Sequence, residues 1–193
     1  MGGNDEIIFP TEYLPRDYFE KKHGRKAWCF WLVGNSGSGK STIAKSVEKQ
    51  LVDNGLRIKT LDGDNMRDGL NSDLDFSLES RNENVRRSAE IAKMFLDNGI
   101  STICCFISPS ATSRKIAREI IGDRFRLVYV KASPEEVIKR DVKGLYKENR
   151  ENMEHSLTLF EEPNDPDLII DTTNKKVEYS SKIMFNYVIN QPL

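Results

Sequence analysis

Ala27-Trp28-Cys29-Phe30-Trp31-Leu32-Val33 is an unbroken apolar run, and Gly34-Asn35-Ser36-Gly37-Ser38-Gly39-Lys40-Ser41-Thr42 follows it directly, ahead of a stretch with helical period. Strand, glycine-rich turn and helix, in that order, build a phosphate-gripping loop. The glycines let backbone N–H groups turn toward phosphate oxygens, and the helix N-terminus adds the positive end of its dipole. The stretch is therefore expected to hold a nucleoside triphosphate through Gly34, Ser36, Gly37, Ser38, Gly39, Lys40, Ser41 and Thr42. Lys40 reaches the β/γ oxygens and Ser41 offers an oxygen to Mg²⁺.

Outward from this loop, short β-branched and apolar runs alternate with longer segments of helical period. That alternation predicts an α/β fold with helices on both faces of a parallel sheet. The strands are expected at Ala27–Val33, Arg57–Leu61, Ser101–Ile107, Arg126–Lys131 and Leu168–Ile170. Helices are expected at about Lys40–Asn54, Ser80–Asn98, Thr112–Ile121, Pro134–Asp141 and Val177–Ile189. Together these give a P-loop NTPase three-layer sandwich on a mostly parallel five-stranded sheet, spanning residues 27–193, with a lid at about 142–166. Residues 1–26, broken by Pro10 and Pro15, read as an N-terminal extension with one short helix from Pro15 to Lys22.

The chain has 193 residues, 38% of them hydrophobic, enough for one domain with a single core. Twenty-nine Lys and Arg against 30 Asp and Glu leave a net charge of -1, which gives no general attraction for nucleic acid or anionic membranes. The apolar run at Ala27–Val33 is far short of a membrane span, and Met1–Glu6 has neither a basic nor an apolar signal region, so a cytoplasmic location is expected. Cys29, Cys104 and Cys105 sit in strand-like runs without metal-ligand spacing and read as small buried hydrophobes.

In such sheets ligands lie beyond the carboxyl ends of the strands. After the second strand comes Asp62-Gly63-Asp64-Asn65-Met66-Arg67-Asp68. A carboxylate there can take the proton of an incoming hydroxyl or hold Mg²⁺, and Asp62 is the residue assigned to both tasks. Its competitor is a turn in which Asp and Asn bond their own backbone. Further on, Ser80 and Glu83 have capping-box spacing, which places Arg81 and Asn84 on one face of a first helical turn, where the dipole favours an anion. With Arg67 they form an anion clamp for the acceptor; Arg86 and Arg87 read as surface charges. The third strand exits through Ile107-Ser108-Pro109, which is expected to expose Ile107 and the Ser108 hydroxyl to an acceptor pocket. Lys139-Arg140-Asp141-Val142-Lys143-Gly144-Leu145-Tyr146-Lys147 concentrates cations ahead of a polar stretch, as suits a lid closing over phosphates. His23 and His155 stand alone.

These blocks resemble the adenylylsulfate kinase family, which phosphorylates the 3′-hydroxyl of adenosine 5′-phosphosulfate with MgATP. The similarity runs through Gly34–Thr42, Leu61–Asn65, Arg67–Asn71, Phe76-Ser77, Arg81, Glu83-Asn84, Arg86-Arg87, Phe106–Pro109 and Lys143–Lys147. The resemblance implies that Arg67, Arg81 and Asn84 hold the acceptor's anionic tail and that Phe76 stacks on its base. It further implies that Asp64, Ile107, Ser108, Lys143, Gly144 and Leu145 line the acceptor pocket and that Arg140 serves the donor nucleotide. Lys40, Asp62 and Ser108 are the catalytic set it implies, Ser41 and Asp62 the Mg²⁺ ligands, and a homodimer the assembly.

The chain departs from the family where a segment resembling Phe-Thr-Gly-Ile-Asp-x-Pro-Tyr-Glu usually follows the lid. Here the shorter Glu154–Pro163 stands, and Phe160 is the ring left to cover the base. Asp75 replaces a customary glycine, and Ser110-Ala111 a Tyr-Arg pair. One alternative keeps the chemistry and changes the acceptor, for example to cytidine diphosphoramidate in polysaccharide modification. A nucleotide-dependent switch is a further alternative, although Asn174-Lys175-Lys176-Val177 lacks the acidic residue that would pair with guanine.

Overall fold

The computed structural model describes residues 13–141 and 160–192. Strand β1 (Cys29–Val33) is central, flanked by β2 (Ile58–Asp62), β3 (Ser101–Cys105), β4 (Phe125–Lys131) and β5 (Leu168–Asp171) in the order β2-β3-β1-β4-β5. All four pairings are parallel. A parallel strand covered on both faces needs apolar side chains at every position, which is why β1 has no alternation and is buried throughout. Cys29, Trp31 and Val33 pack with α4 (Leu78–Asp97) and α5 (Ala111–Ile121), whereas Phe30 and Leu32 pack with α2 (Lys40–Asp53) and α7 (Val177–Ile189). The core is thus two apolar layers separated by the sheet.

The remaining helices are α1 (Arg16–His23), α3 (Gly63–Asp68) and α6 (Pro134–Arg140). Helix α1 forms where expected and stops at Gly24, whose φ of 67° suits a residue without a side chain. Arg16 pairs with Asp97 at 2.8 Å, and the nearly buried Glu20 pairs with Arg124 at 3.0 Å while accepting from Ala27 N at 2.9 Å. The part of the expected extension that is described therefore packs against the sheet domain.

Two expectations are corrected near the site. Helix α4 starts at Leu78, because Ser77 is the residue whose Oγ accepts from Ser80 N (3.2 Å), and Asp75 Oδ1 in turn accepts from Ser77 N and Oγ at 2.9 and 2.6 Å. Ser80 and Glu83 lie inside the helix, and Glu83 pairs with Arg86 and Arg87 instead of capping. Asn84 consequently sits in the second turn. Helix α3, absent from the reading of the sequence, forms because Asp62 Oδ1 accepts from Asp64 N at 3.0 Å and caps it. The three cysteines are buried and free, and burial pushes the Cys104 and Cys105 thiols up, away from reactive thiolate.

Candidate active site

The glycine-rich loop leaves β1 between β3 and β4 and enters α2. Gly34 has φ 147°, and a Cβ there would lie 2.2 Å from Val130 O, so the loop approaches β4 too closely for any side chain. Gly37 and Gly39 also have positive φ, 79° and 103°. Lys40 is nearly buried; its Nζ runs back under the loop and donates to Gly34 O (2.8 Å) and Asn35 O (2.9 Å). On the far side Arg140 NH1 donates to Gly37 O (3.2 Å) and Ser38 O (3.4 Å), and Thr172 Oγ1 donates to Ser38 O (2.9 Å). A planar peptide points its N–H opposite to its C=O. Tying these carbonyls from outside therefore turns the following amides inward, where phosphate oxygens are received.

Arg140 was expected on the nucleotide. Its guanidinium is instead spent on the loop carbonyls, on Thr172 Oγ1 (3.0 Å) and O (2.7 Å), and on Glu136 (3.0 Å). Thr172 escaped the reading of the sequence although it directly follows β5, at the edge where ligands gather.

Across the loop mouth, Ser41 Oγ donates to Asp62 Oδ2 at 2.6 Å. A hydroxyl and a carboxylate side by side are hard oxygen donors, and no cluster of three or more acidic, His or Cys ligands exists among the described residues. That sparse oxygen set fits Mg²⁺, which keeps most of its shell for water and phosphate.

Arg67, at the end of α3, donates through NH1 to Leu74 O (2.9 Å) and Asp75 O (2.8 Å). Arg81 Nε donates to Phe76 O (2.9 Å). Both guanidinium groups lie over the exposed Phe76 ring, at 4.6 and 5.6 Å from its centroid. Neither forms an ion pair with a carboxylate among the described residues. Burial, then the Arg81 charge, pulls Arg67 below the usual arginine value. Two like charges held together by backbone carbonyls and one ring make a site that an anion would relieve. Asn84, buried on the same face of α4, accepts from Asn71 Nδ2 at 2.8 Å. Asp64 stands exposed beside them in the first turn of α3.

Ile107 is half-buried at the β3 exit, packed on the core. Ser108 does not present its hydroxyl outward as expected: it is 2% exposed, and its Oγ accepts from Trp31 Nε1 at 3.0 Å. Its φ of 43° turns the chain, and Arg114 NH1 holds the turn through Ser108 O (3.0 Å) and Pro109 O (3.2 Å). Phe160 is likewise not a lid ring. It is buried and stacked on Tyr129 (5.8 Å, 24°), while Glu161 N donates to Pro109 O and Ala111 N donates to Glu161 Oε2. Burial, then Glu162, pushes Tyr129 up to about 12. Lys143, Gly144, Leu145 and most of the expected lid lie outside the described residues. A cavity of about 720 Å³ lined by Tyr18, Phe19, Ile91, Met94, Phe95 and Ile100 opens at the amino ends of β2 and β3 and contains none of the expected site residues.

Residues 26–171 match the family model described as adenylylsulphate kinase. The chain is 40% identical over 190 residues to the probable adenylyl-sulfate kinase of Halalkalibacterium halodurans, covering 96% of this chain and 91% of that one. It is 44% identical over 189 residues to the adenylyl-sulfate kinase of Bacteroides thetaiotaomicron, covering 94% of each. Among solved structures it is similar to the Mycobacterium tuberculosis APS kinase CysC in complex with AMPPNP and APS, with a TM-score of 0.79 and 32% identity over 86% of this chain and 99% of that one.

Proposed function

Since this chain belongs to the adenylylsulfate kinase family, we propose that its residues carry the ATP-dependent phosphorylation of the 3′-hydroxyl of adenosine 5′-phosphosulfate in the roles that follow. The observation that carries the reading is the pairing of two anion-receiving sites across Asp62: the amide-lined loop with Lys40 on one side, Arg67 and Arg81 over Phe76 on the other.

Gly34 to Thr42 hold the donor phosphates, and Lys40 leaves the Gly34 and Asn35 carbonyls to meet the charge that grows on the transferring group. Arg67, Arg81 and Asn84 hold the phosphosulfate tail, and Phe76 lies against the adenine. Asp62 orients the 3′-hydroxyl and takes its proton, which places the nucleophile in line with the donor. Ser41 and Asp62 would hold Mg²⁺, which when bound neutralises phosphate charge. Arg140 and Thr172 brace the loop, and Ser108 shapes the acceptor wall through its backbone turn.

The protein works as a homodimer in the cytoplasm on this reading. Family membership supports the assembly, and the net charge of -1 together with the absence, among the described residues, of any helix long and apolar enough to cross a membrane supports the location. The test is turnover with MgATP of adenosine 5′-phosphosulfate beside cytidine diphosphoramidate. A 3′-phosphorylated product from the first alone is expected. Turnover of the second alone would remove the acceptor assignment, and hydrolysis of ATP without any phosphorylated acceptor would remove the kinase reading.

A further inference from the structure

Asn71 is fully buried at the bend after α3, and three contacts make it a joint. Its N donates to Met66 O (2.7 Å), its O accepts from Leu74 N (3.1 Å), and its Nδ2 donates to Asn84 Oδ1 (2.8 Å). It thereby links the end of α3, the bend whose Leu74 and Asp75 carbonyls receive Arg67, and the second turn of α4. Asn71 Oδ1, equally buried, has no hydrogen-bond partner among the described residues.

We propose that Asn71 is a positioning residue for the acceptor: by donating to Asn84 Oδ1 it fixes the Asn84 amide with its NH₂ side left for the acceptor's anionic tail. The inference rests on the reading that Asn84 meets that tail. The two sides of a carboxamide are almost the same shape but opposite in polarity, so packing alone does not choose between them and a hydrogen bond must. An NH₂ group donates to an anion; a carbonyl in its place repels it. Turning both amides over would keep one hydrogen bond between the two residues but bury both donors of the Asn71 NH₂ unpaired in place of one unpaired oxygen, and that difference selects the observed arrangement. The observed arrangement is the one that keeps the Asn84 donors for a ligand.

Asn71→Asp tests this, because a carboxylate only accepts and draws the Asn84 NH₂ to itself. The KM for adenosine 5′-phosphosulfate should rise on the order of tenfold or more, with kcat and the KM for ATP within about twofold. Asn84→Ala should raise the same KM, and Asn71→Asp should add nothing in that background. An Asn84→Ala effect with no Asn71→Asp effect overturns the proposal; no effect of Asn84→Ala overturns the role of Asn84 itself. Asp73→Ala serves as control, since it cuts the exposed Asp73–Arg87 tie (2.7 Å) on the same bend. It should leave the acceptor KM unchanged, and an equal rise there would mean that any loosening of the bend suffices, against the proposal. Should Asn71→Asp fail to fold, Asn71→Ser, which breaks the tie without adding charge, must give the same acceptor-only rise and the same non-additivity; parallel changes in both KM values refute it.

Discussion

Ser41 Oγ and Asp62 Oδ2 stand 2.6 Å apart, so the first turn of α2 and the end of β2 are joined by a single hydrogen bond at the mouth of the glycine-rich loop. Asp62 also caps α3 through its other oxygen. Asp62→Asn keeps the cap and removes the charge. It should lower kcat by about 10²–10⁴-fold, the range for a lost general base, and raise the Mg²⁺ concentration needed for half-maximal rate. Steady-state rates across a Mg²⁺ titration check both.

Arg81→Ala removes one of two cations over Phe76. The acceptor KM should rise by about 10-fold or more while the ATP KM holds, since a charge-assisted hydrogen bond is worth about 1.5–3 kcal/mol. Equal shifts in both constants would place Arg81 outside the acceptor site.

Ser108→Ala should retain kcat within a few-fold, because the hydroxyl is turned to Trp31 and away from solvent. The cost falls on stability instead, about 1–3 kcal/mol for a buried indole N–H left unpaired. Chemical denaturation beside turnover separates the two.

Phe160→Ala should destabilise by about 3–5 kcal/mol, as a large core truncation does, because its ring fills the space beside Tyr129. The folded fraction should keep its acceptor KM. A selective loss of acceptor affinity without a drop in the urea midpoint would put the ring back at the substrate.

Acid should loosen the start of α4. Ser77 holds the Asp75 carboxyl at about 2, and Arg86 with Arg87 holds that of Glu83 at about 2. Both folded values lie below the ordinary ones, so the stability they lend is complete at neutral pH and fades as pH falls from about 4.5 toward 2. Glu83→Gln should flatten that part of a stability-versus-pH curve, read from denaturation midpoints.

The loop between β1 and α2 was legible because every residue type in it answers a local requirement, and the rule that ligands gather at carboxyl strand ends led to Asp62 and Arg67; Arg81 and Asn84 came from a capping-box reading of Ser80 and Glu83 that the helix start at Leu78 replaces. What stayed hidden depends on contacts distant in sequence. Nothing near Ser108 announces a positive φ; the turn is set by Trp31, 77 residues away, and by Arg114 from α5. Phe160 read as a free ring because the Tyr129 surface beneath it exists only once β4 joins the sheet. Helix α3, six residues long, is too short to show a period, and only the spacing of Asp62 and Asp64 hinted at its cap. Thr172 needed the same edge rule carried to β5.

The order β2-β3-β1-β4-β5 puts Asp62, Arg67 and Ile107 on one flank of the central strand and the Arg140 and Thr172 braces on the other. Selection can therefore remodel the Arg67, Phe76 and Arg81 side of the acceptor site on one flank, while the Arg140 and Thr172 braces on the triphosphate loop are inherited untouched. Swapping in the α3-to-α4 stretch of a kinase of different specificity, with Asp62 kept, would redirect this scaffold without rebuilding its engine.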